Sequence, residues 1–319
     1  MTSDLTRRDL LKQTLVAGTA VVAGLEAATS TAAPAAIPII DTHQHLWDMK
    51  QFRPPWLGGP AEAKINRPET MSDYLKATAG LNVVKTIYME IDAAPQQQQE
   101  EANWLAAACK KHNSPLVAGV IAGRPAHPEF AAYAKQFKGS PYIKGIRQVL
   151  QVPEAARGLC LTPEYVRNIR LCGELGLIFD ICIRPEELAD AVKLVDLCPH
   201  TRFVLDHCGN GSAQNPDQPQ WEQDITAIGK RKNVVCKVSG VIKTVQPDWD
   251  AVQELDRIVK HVAHSFGPDR IVFGGDWPVC NKTSSIAGWV HTLKQILHDA
   301  SELDKRKLFH DNAAKFYGV

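Results

Sequence analysis

Residues 39–45 read IIDTHQH, a run that begins with apolar, β-branched residues and ends in two histidines. This pattern is typical of a short, buried β-strand. Seven further apolar runs of the same kind follow, each bounded by glycine, proline, asparagine or a charged residue. They span residues 85–91, 116–122, 143–150, 177–183, 202–207, 233–238 and 270–275.

These strand-like runs alternate with segments of helical pattern. Successive runs begin roughly 25 to 45 residues apart, which leaves room each time for a crossover helix. Parallel strands joined in this way are buried on both faces, and eight of them can close into a barrel. We therefore predict an α/β fold, a (β/α)8 TIM-type barrel formed by residues 37–319 as a single domain. Helices are predicted at residues 97–112, 163–175, 186–198, 249–266 and 286–298.

The competing architecture is an open, doubly wound sheet. That fold normally carries a glycine-rich phosphate loop after an early strand, and the sequence has no such loop. The longest irregular stretch, residues 48–68, follows the first run. In a barrel, a loop at this place is expected to lie over the mouth of the active site.

The composition argues against two classes of partner. The formal net charge is +1, and lysine, arginine, aspartate and glutamate are interspersed without a basic block. Nucleic acid is therefore not an expected partner. The apolar stretch at residues 15–25 is too short for a membrane span, which needs roughly 20 apolar residues.

The first 36 residues have the pattern of an export signal. Arg7 and Arg8 precede the apolar stretch, and small residues crowd positions 27–36, where a signal peptidase could cut. Paired arginines in this position indicate the bacterial twin-arginine route. We expect the twin-arginine export machinery as a partner and a periplasmic or secreted location. The alternative is a disordered N-terminus that carries two arginines by chance.

Eight cysteines are scattered along the chain without a C-x-x-C pair. Several lie in apolar runs, such as Cys182 and Cys236, where cysteine behaves as a small hydrophobic residue. A chain that folds in the cytoplasm before export need not depend on disulfides. We expect buried, free thiols and no cysteine nucleophile.

The strongest chemical signal is the pair His43 and His45. Strand side chains alternate, so two histidines two residues apart point to the same side. At the C-terminal end of a barrel strand both rings would enter the mouth where catalysis occurs, and paired imidazoles suit zinc. The alternative is two polar residues that simply end a strand.

Three residues from other runs add to this signal. His207 ends the sixth run, Asp276 lies just past the eighth, and Arg147 lies in the C-terminal half of the fourth. In isolation Asp276 could be a helix N-cap, Arg147 a surface ion-pair partner and His207 a core histidine. Together they would converge from separate strand ends onto one mouth.

The chain resembles the amidohydrolase superfamily, and within it the amidohydrolase 2 branch, which contains sugar-acid and dicarboxylate lactonases. The resemblance rests on the H-x-H of the first run, the DH at residues 206–207 and the GDWPV at residues 275–279. KGIRQVLQ at 144–151, FDICIRPEEL at 179–188 and HDNAAKFYGV at 310–319 extend it over the mature chain. It is specific for fold and superfamily and much less so for substrate.

The resemblance implies a role for each matching residue. His43 and His45 would bind a divalent metal or, in a metal-free mechanism, the substrate. His207 would be a further ligand or polarise the carbonyl, and Asp276 would bind the metal and activate water. Arg147 would contact the carboxylate or carbonyl of the substrate.

A binuclear metal centre is not expected. Two-metal members of the superfamily carry a bridging lysine and a histidine on the fifth strand. Here the fifth run has no histidine, and Lys144 opens its strand although a ligand should close it. We expect one divalent metal, with Zn²⁺ as the candidate, or none.

The leading functional hypothesis is hydrolysis of a small-molecule lactone, derived from a sugar acid or a small carboxylic acid. Asp276 would take a proton from water as general base and return it to the departing oxygen. A metal-dependent decarboxylase of the same superfamily is the main alternative, and an amide or ester hydrolase would use nearly the same machinery. A non-catalytic exported barrel that binds a ligand would not need Asp276.

Further residues are candidates for substrate contact, and each has a plain structural alternative. Glu90 ends the second run and could bind a sugar hydroxyl, whereas Asp92 fits better as a solvated loop carboxylate. Trp47 and Trp277 could line the mouth, although tryptophan is also ordinary core material. Asp180 could orient a neighbouring site residue or make a buried structural hydrogen bond.

Overall fold

The computed structural model describes residues 36–111, 113–215 and 217–319. The predicted export signal, residues 1–36, lies outside the described residues apart from Ala36, so twin-arginine export stays a prediction. Within the described ranges, no helix is both long enough and apolar enough to cross a membrane.

Eight parallel strands form one sheet in chain order, β1 to β8. Between its first and last strands, Thr42 Oγ1 donates to Phe273 O at 2.7 Å, and Gln44 forms a parallel bridge with Trp277. The sheet is thus a nearly closed barrel, which confirms the predicted architecture. The strands are Ile39–Gln44, Val83–Met89, Leu116–Ala122, Ile143–Val149, Ile178–Cys182, Phe203–Leu205, Val234–Val238 and Ile271–Phe273.

Helices connect the strands and cover the outside of the barrel. The five predicted helices are present, with ends shifted by up to three residues. Helices α1, α3, α9 and α10 are only five to seven residues long, too short for a clear helical period in the sequence. The helices α1 to α10 are Met71–Ala77, Gln98–Cys109, Phe130–Lys135, Pro163–Glu174, Leu188–Leu197, Pro219–Gly229, Ala251–Phe266, Ile286–Ile296, Glu302–Arg306 and Asn312–Tyr317.

The barrel interior is layered from an apolar floor to a charged middle and a polar mouth. Side chains alternate along a strand, so Val235 and Lys237 of β7, and Ser239 just after it, all face inward. Val235 belongs to the floor, which packs against Tyr317 of the last helix, α10. Lys237 lies at the charged level and Ser239 at the mouth, where barrel enzymes place their chemistry.

All eight cysteines are buried and free. This confirms the prediction of unpaired thiols. Burial raises the pKa of Cys182, Cys160 and Cys172 to about 12, so these thiols stay protonated at neutral pH. A protonated thiol is a poor nucleophile.

Glu101 is a buried carboxyl group on α2, outside the barrel. Its Oε1 accepts hydrogen bonds from Tyr88 Oη at 2.8 Å and from the Ile91 N–H at 3.0 Å. Burial, reinforced by the nearby Glu90, raises the pKa of Glu101 to about 8. Because the unfolded chain has a carboxyl pKa near 4.5, the folded state binds this proton more tightly.

This proton makes stability depend on pH. The contribution of Glu101 to the free energy of unfolding is largest below about pH 4.5 and falls as the pH rises towards 8. We expect Glu101→Gln to remove this loss. The Tm of the variant, measured relative to the wild type, should therefore be higher at pH 8 than at pH 5 by about 2 °C or more. The neighbouring exposed variant Glu100→Gln should run parallel to wild type. Parallel melting curves for Glu101→Gln would contradict the expectation.

Candidate active site

The predicted residues from strands 1, 6 and 8 meet at the C-terminal mouth of the barrel. The rings of His43 and His45 lie 4.9 Å apart between centroids, and those of His43 and His207 lie 4.5 Å apart. Asp276 Oδ1 is 3.7 Å from His43 Nε2 and 3.6 Å from His45 Nε2. All four side chains are buried. The two histidines of the H-x-H therefore face the same side, as predicted.

Local backbone geometry ends the strands so that these side chains face the mouth. His207 and Asp276 both have positive φ angles, 54° and 52°. A left-handed residue breaks the extended conformation, which explains why β6 stops at Leu205 although its run was predicted to reach His207. Gly275 allows the chain to pass close to β1, since a Cβ there would lie 2.6 Å from Asp41 Oδ2.

Asp41 braces this end of the barrel from outside the site. Its Oδ1 accepts hydrogen bonds from the Gly275 N–H at 2.7 Å and the His43 N–H at 3.0 Å. Its Oδ2 accepts from Tyr74 Oη at 2.8 Å. One carboxylate therefore fixes the backbone before both His43 and Asp276.

Hydrogen bonds at Nδ1 orient two of the histidines. His45 Nδ1 lies 3.0 Å from Met89 O, and a carbonyl can only accept, so in the neutral ring Nδ1 carries the hydrogen. The lone pair on His45 Nε2 then faces Asp276. His207 Nδ1 lies 2.8 Å from Ser239 Oγ, which leaves its Nε2 available. Ser239 was not predicted from the sequence.

Burial and nearby charges set the protonation states. Burial, together with the Lys237 ammonium, holds the pKa of His43 well below its usual value, and burial lowers that of His207 to about 3. Burial opposes ionisation of Asp276, but its cationic and polar neighbours, Lys243 among them, outweigh it and hold its pKa well below the usual range. His43 and His207 are therefore neutral imidazoles and Asp276 is an ionised carboxylate at neutral pH.

These groups fit a divalent metal ion. His43, His207 and Asp276 can each place one ligand atom within 4.8 Å of the others. Asp276 Oδ2 is buried and has no hydrogen-bond partner in the described part of the chain. Neutral imidazoles with a carboxylate are a donor set that zinc accepts, and a lone pair facing a carboxylate is stabilised by a cation between them.

A second group of possible ligands consists of Cys182, Asp206 and His207. It fits a metal less well for two reasons. The Cys182 thiol is protonated at neutral pH, and Asp206 already faces two cationic side chains, Arg147 at 3.2 Å and Lys237 at 2.9 Å. We therefore place the candidate metal at His43, His207 and Asp276. His45, also predicted as a ligand, lies beside this group with its Nε2 3.6 Å from Asp276 Oδ1, and its role as a ligand stays a prediction.

Arg147 lies at the edge of this site and is held by several partners. Its Nε donates to Glu90 Oε1 at 2.6 Å, its Nη2 to Glu90 O at 2.9 Å and its Nη1 to Asp206 Oδ2 at 3.2 Å. Nη1 also lies 3.3 Å from His43 Nε2. These contacts fix His43 and Asp206 in place, and the substrate contact predicted for Arg147 stays a prediction.

Glu90, proposed from the sequence as a substrate contact, is completely buried. Its Oε1 binds Arg147 and its Oε2 accepts from the Asp92 N–H at 2.6 Å. Asp92, expected to be solvated, instead pairs with Arg124 at 3.1 Å and is 23% exposed. Both carboxylates at the end of β2 are thus held by arginines.

Lys237 and Asp206 were missed by sequence reasoning. The Lys237 ammonium is completely buried and lies 2.8 Å from Asp180 Oδ2 and 2.9 Å from Asp206 Oδ1. Asp206 Oδ1 is also 3.6 Å from His43 Nδ1. A lysine inside the apolar run of β7 was the available signal, because a buried charge needs a partner. Asp180 is the second carboxylate that pairs with Lys237 in this buried network.

The buried side-chain cations Arg147 and Lys237 disfavour a second metal ion. Arg147 and Lys237 contribute a guanidinium and an ammonium from β4 and β7 to the charged layer. Both pair with Asp206, the carboxylate next to His207 in the chain. A second divalent ion there would meet two fixed positive charges, which agrees with the expectation of at most one metal.

A cavity of about 230 Å³ opens above these residues. His45, His207, Lys243 and Asp276 line it, and Trp56 from the loop over the mouth forms part of its wall. Lys243 Nζ lies 3.9 Å from Asp276 Oδ2. The loop at residues 48–68 therefore lies where it was expected.

Trp47 and Trp277 do not line this cavity. Trp47 is 2% exposed and donates from Nε1 to Arg67 O at 2.8 Å. Trp277 is equally buried and packs edge-on against Tyr74, with ring centroids 5.4 Å apart. Both rings support the walls of the site, and no contact of either with substrate follows from their positions.

The sequence is similar to proteins of a known family. The family model described as Amidohydrolase matches residues 40–319. The chain belongs to the amidohydrolase family. An L-fucono-1,5-lactonase from Burkholderia multivorans is 24% identical to this amidohydrolase over 296 residues, which are 88% of this chain and 96% of the relative. The superfamily predicted from the motifs is thereby confirmed, and the chain is an enzyme of the hydrolase class.

Two solved structures of differently named proteins share this fold. An amidohydrolase from Burkholderia multivorans with bound Zn has a TM-score of 0.79 at 21% identity, covering 88% of this chain and 99% of the other. A 2,6-dihydroxybenzoate decarboxylase in complex with 2,6-dihydroxybenzoate has a TM-score of 0.62 at 14% identity, covering 88% and 99%. At these identities the likeness establishes the barrel and not the reaction.

Proposed function

We propose that this amidohydrolase hydrolyses the lactone of a sugar acid or a small carboxylic acid. The observation that carries the proposal is the ionised, buried Asp276 beside three histidines at the mouth of one cavity. The lactonase relative supports it, since that protein aligns over 96% of its own length. No covalent nucleophile is required, because water is the attacking group.

The two oxygens of Asp276 have different surroundings and can serve different purposes. Oδ1 faces His43 and His45, on the side where a metal would be held, whereas Oδ2 lies towards Lys243. Oδ2 has no hydrogen-bond partner among the described residues and is free to accept a proton from water. Protonated Asp276 then returns this proton to the ring oxygen as the lactone C–O bond breaks.

His43, His207 and Asp276 would hold the metal, which we propose to be Zn²⁺. When bound, it supplies Lewis-acid polarisation of the lactone carbonyl and lowers the pKa of water. Ser239 orients His207, and Asp206 with Arg147 orients His43, so that the imidazoles keep one position. Fixed donors of this kind act without reorganisation during the reaction.

The charges of the cavity favour an uncharged lactone ring. Arg147 is neutralised by Glu90 and Asp206, Lys282 pairs with Glu62 at 3.0 Å, and Lys243 faces Asp276. No guanidinium lining the described cavity remains without a carboxylate. This arrangement supports a neutral sugar lactone over a dicarboxylate.

Decarboxylation of an aromatic acid is the second candidate, because a decarboxylase shares the barrel. The two reactions leave different products. The test is to incubate the protein with a panel of sugar-acid lactones and a panel of aromatic carboxylates, following acid release in the first and CO₂ in the second. Acid release alone supports the lactonase, and CO₂ release alone would overturn it.

We also propose that the enzyme acts after export, in the periplasm or outside the cell. The support is the pair Arg7 and Arg8 ahead of a short apolar stretch. Folding before export would let the metal site form in the cytoplasm.

A further inference from the structure

The catalytic cavity adjoins a larger groove that the proposed reaction does not use. The groove has a volume of about 640 Å³, nearly three times the 230 Å³ of the cavity. Four residues, Trp56, Asp92, Val149 and Val152, line both spaces. Pockets that bind small molecules usually enclose about 300–1,000 Å³. The cavity alone is therefore small, and a ligand seated in it has room to extend across the shared wall.

Trp56 is fixed at the boundary between the two spaces. Its Nε1 donates to Ile91 O at 2.8 Å, and its ring meets that of Trp47 edge-on at a centroid distance of 5.8 Å. The indole is therefore held in one orientation before any ligand arrives. A rigid aromatic ring offers apolar area at low entropic cost, which suits the C–H face of a sugar ring.

The polar part of the groove wall is a partly buried ion pair. Arg124 Nη2 donates to Asp92 Oδ1 at 3.1 Å, and the two side chains are 26% and 23% exposed. Asp92 has a φ of 49°, in the left-handed region that non-glycine residues adopt only with some strain. The hydrogen bond from the Asp92 N–H to Glu90 Oε2 stabilises this turn. Strained residues of this kind are concentrated at binding and catalytic sites.

Two polar atoms of the wall lack a partner. Arg124 Nη1 and Gln148 Oε1 are buried and make no hydrogen bond to the described residues. Buried polar groups are nearly always hydrogen-bonded, and Arg124 and Gln148 both line the groove, so a small rotation of the two side chains would let one ligand satisfy the donor and the acceptor. A hydroxyl group donates and accepts, whereas a carboxylate only accepts.

Charge points to the same class of ligand. Arg124 and Asp92 neutralise each other, and the remaining charged residue of the wall, Glu154, is an exposed carboxylate. An anionic group would meet no unpaired cation there. A neutral, polyhydroxylated ring satisfies the aromatic face, the donor and the acceptor together.

We propose that the groove binds a glycosyl group attached to the lactone, so that the preferred substrate is the lactone of a disaccharide-derived aldonic acid. This inference rests on the proposed lactone hydrolysis and names the substrate class of that same site. The lactone ring would lie in the catalytic cavity beside Asp276, and the second sugar ring would cross the wall at Trp56 into the groove.

The test compares glucono-1,5-lactone with its 4-O-glucosyl derivatives, cellobiono- and maltobiono-1,5-lactone. Acid release above the spontaneous rate gives kcat/KM for each substrate with the full chain. We expect at least one disaccharide lactone to exceed the monosaccharide lactone by about tenfold or more, the effect of one well-placed hydrogen bond. Arg124→Met and Gln148→Leu should each reduce this preference, by lowering kcat/KM more for the disaccharide lactone than for the monosaccharide lactone.

Arg231→Met is the matched control. Arg231 pairs with Asp196 at 2.7 Å on the outside of the barrel, at 28% exposure similar to that of Arg124. It should leave the preference as in the wild type. Thermal unfolding of each variant shows whether it is folded. If only one of Arg124→Met and Gln148→Leu folds, that variant alone is enough to test the preference.

The outcomes separate the two proposals. Hydrolysis of all the lactones with equal kcat/KM, in wild type and variants alike, would overturn the groove inference and leave lactone hydrolysis intact. Hydrolysis of the monosaccharide lactone only would overturn it as well. No hydrolysis of any lactone by folded protein would overturn the proposed function, and with it the inference that rests on it.

Discussion

Asp276→Asn is expected to lower kcat for lactone hydrolysis by about 10²–10⁴-fold, the usual contribution of a positioned acid–base group. Asparagine keeps the size of the side chain but cannot accept the proton of the attacking water or return it to the ring oxygen. KM should change little, because the cavity walls stay in place. Steady-state kinetics, with the zinc content of both proteins measured alongside, checks this expectation.

Asp196→Asn makes the same chemical change on the outer surface. Its carboxylate is 52% exposed and binds Arg231, far from the mouth. This variant should keep wild-type activity. Normal kcat in Asp276→Asn would show that another group activates water, and the assignment of Asp276 would be wrong.

Lys237→Met is expected to destabilise the folded state by about 3–5 kcal/mol, the cost of breaking a fully buried ion pair. Methionine has a similar length, so little volume is lost. The destabilisation arises because Asp180 and Asp206 remain buried without their shared cation. Urea unfolding gives the free energy directly.

The control for this variant is Lys193→Met. Lys193 pairs with Asp190 at 2.9 Å on the surface of α5 and is 63% exposed. Exposed pairs of this kind contribute little, so the free energy of unfolding should stay close to that of the wild type. Equal small effects of the two substitutions would mean that Lys237 does not stabilise the carboxylates of the charged layer.

The barrel could be predicted because the sequence repeats one pattern, a strand followed by a helix, eight times. Eight β-type runs, each followed by room for a helix, leave few architectures, and the missing phosphate loop removed the main competitor. Strand ends were less predictable. The runs were predicted to end at His207 and Gly275, but β6 ends at Leu205, before the left-handed His207, and β8 ends at Phe273, before two glycines. Histidine and aspartate adopt the left-handed conformation more often than most residues, but the residue type alone does not show at which histidine or aspartate a strand ends.

The reacting residues were predictable because each follows a strand and carries recognisable chemistry. The partners that hold them were not. Arg147 was found, but its engagement by Glu90 and Asp206 depends on side chains from three strands that only the folded barrel brings together. Lys237 could have been found from a charge within an apolar run. Trp47 and Trp277 were proposed as residues lining the mouth, but both rings are buried, because an aromatic residue near a strand end can equally pack into the core.

The measurement that tests the central claim most directly is the chelator and zinc dependence of lactone hydrolysis. The protein is assayed on glucono-1,5-lactone as purified, after chelator treatment and after addition of one equivalent of Zn²⁺. We predict that chelation abolishes acid release, that zinc restores it, and that the His207→Asn variant neither retains zinc nor regains activity. Acid release that survives complete metal removal would contradict a catalytic metal at His43, His207 and Asp276. If folded, zinc-loaded protein hydrolyses neither this lactone, nor its disaccharide derivatives, nor any other member of the lactone panel, the lactonase itself is contradicted.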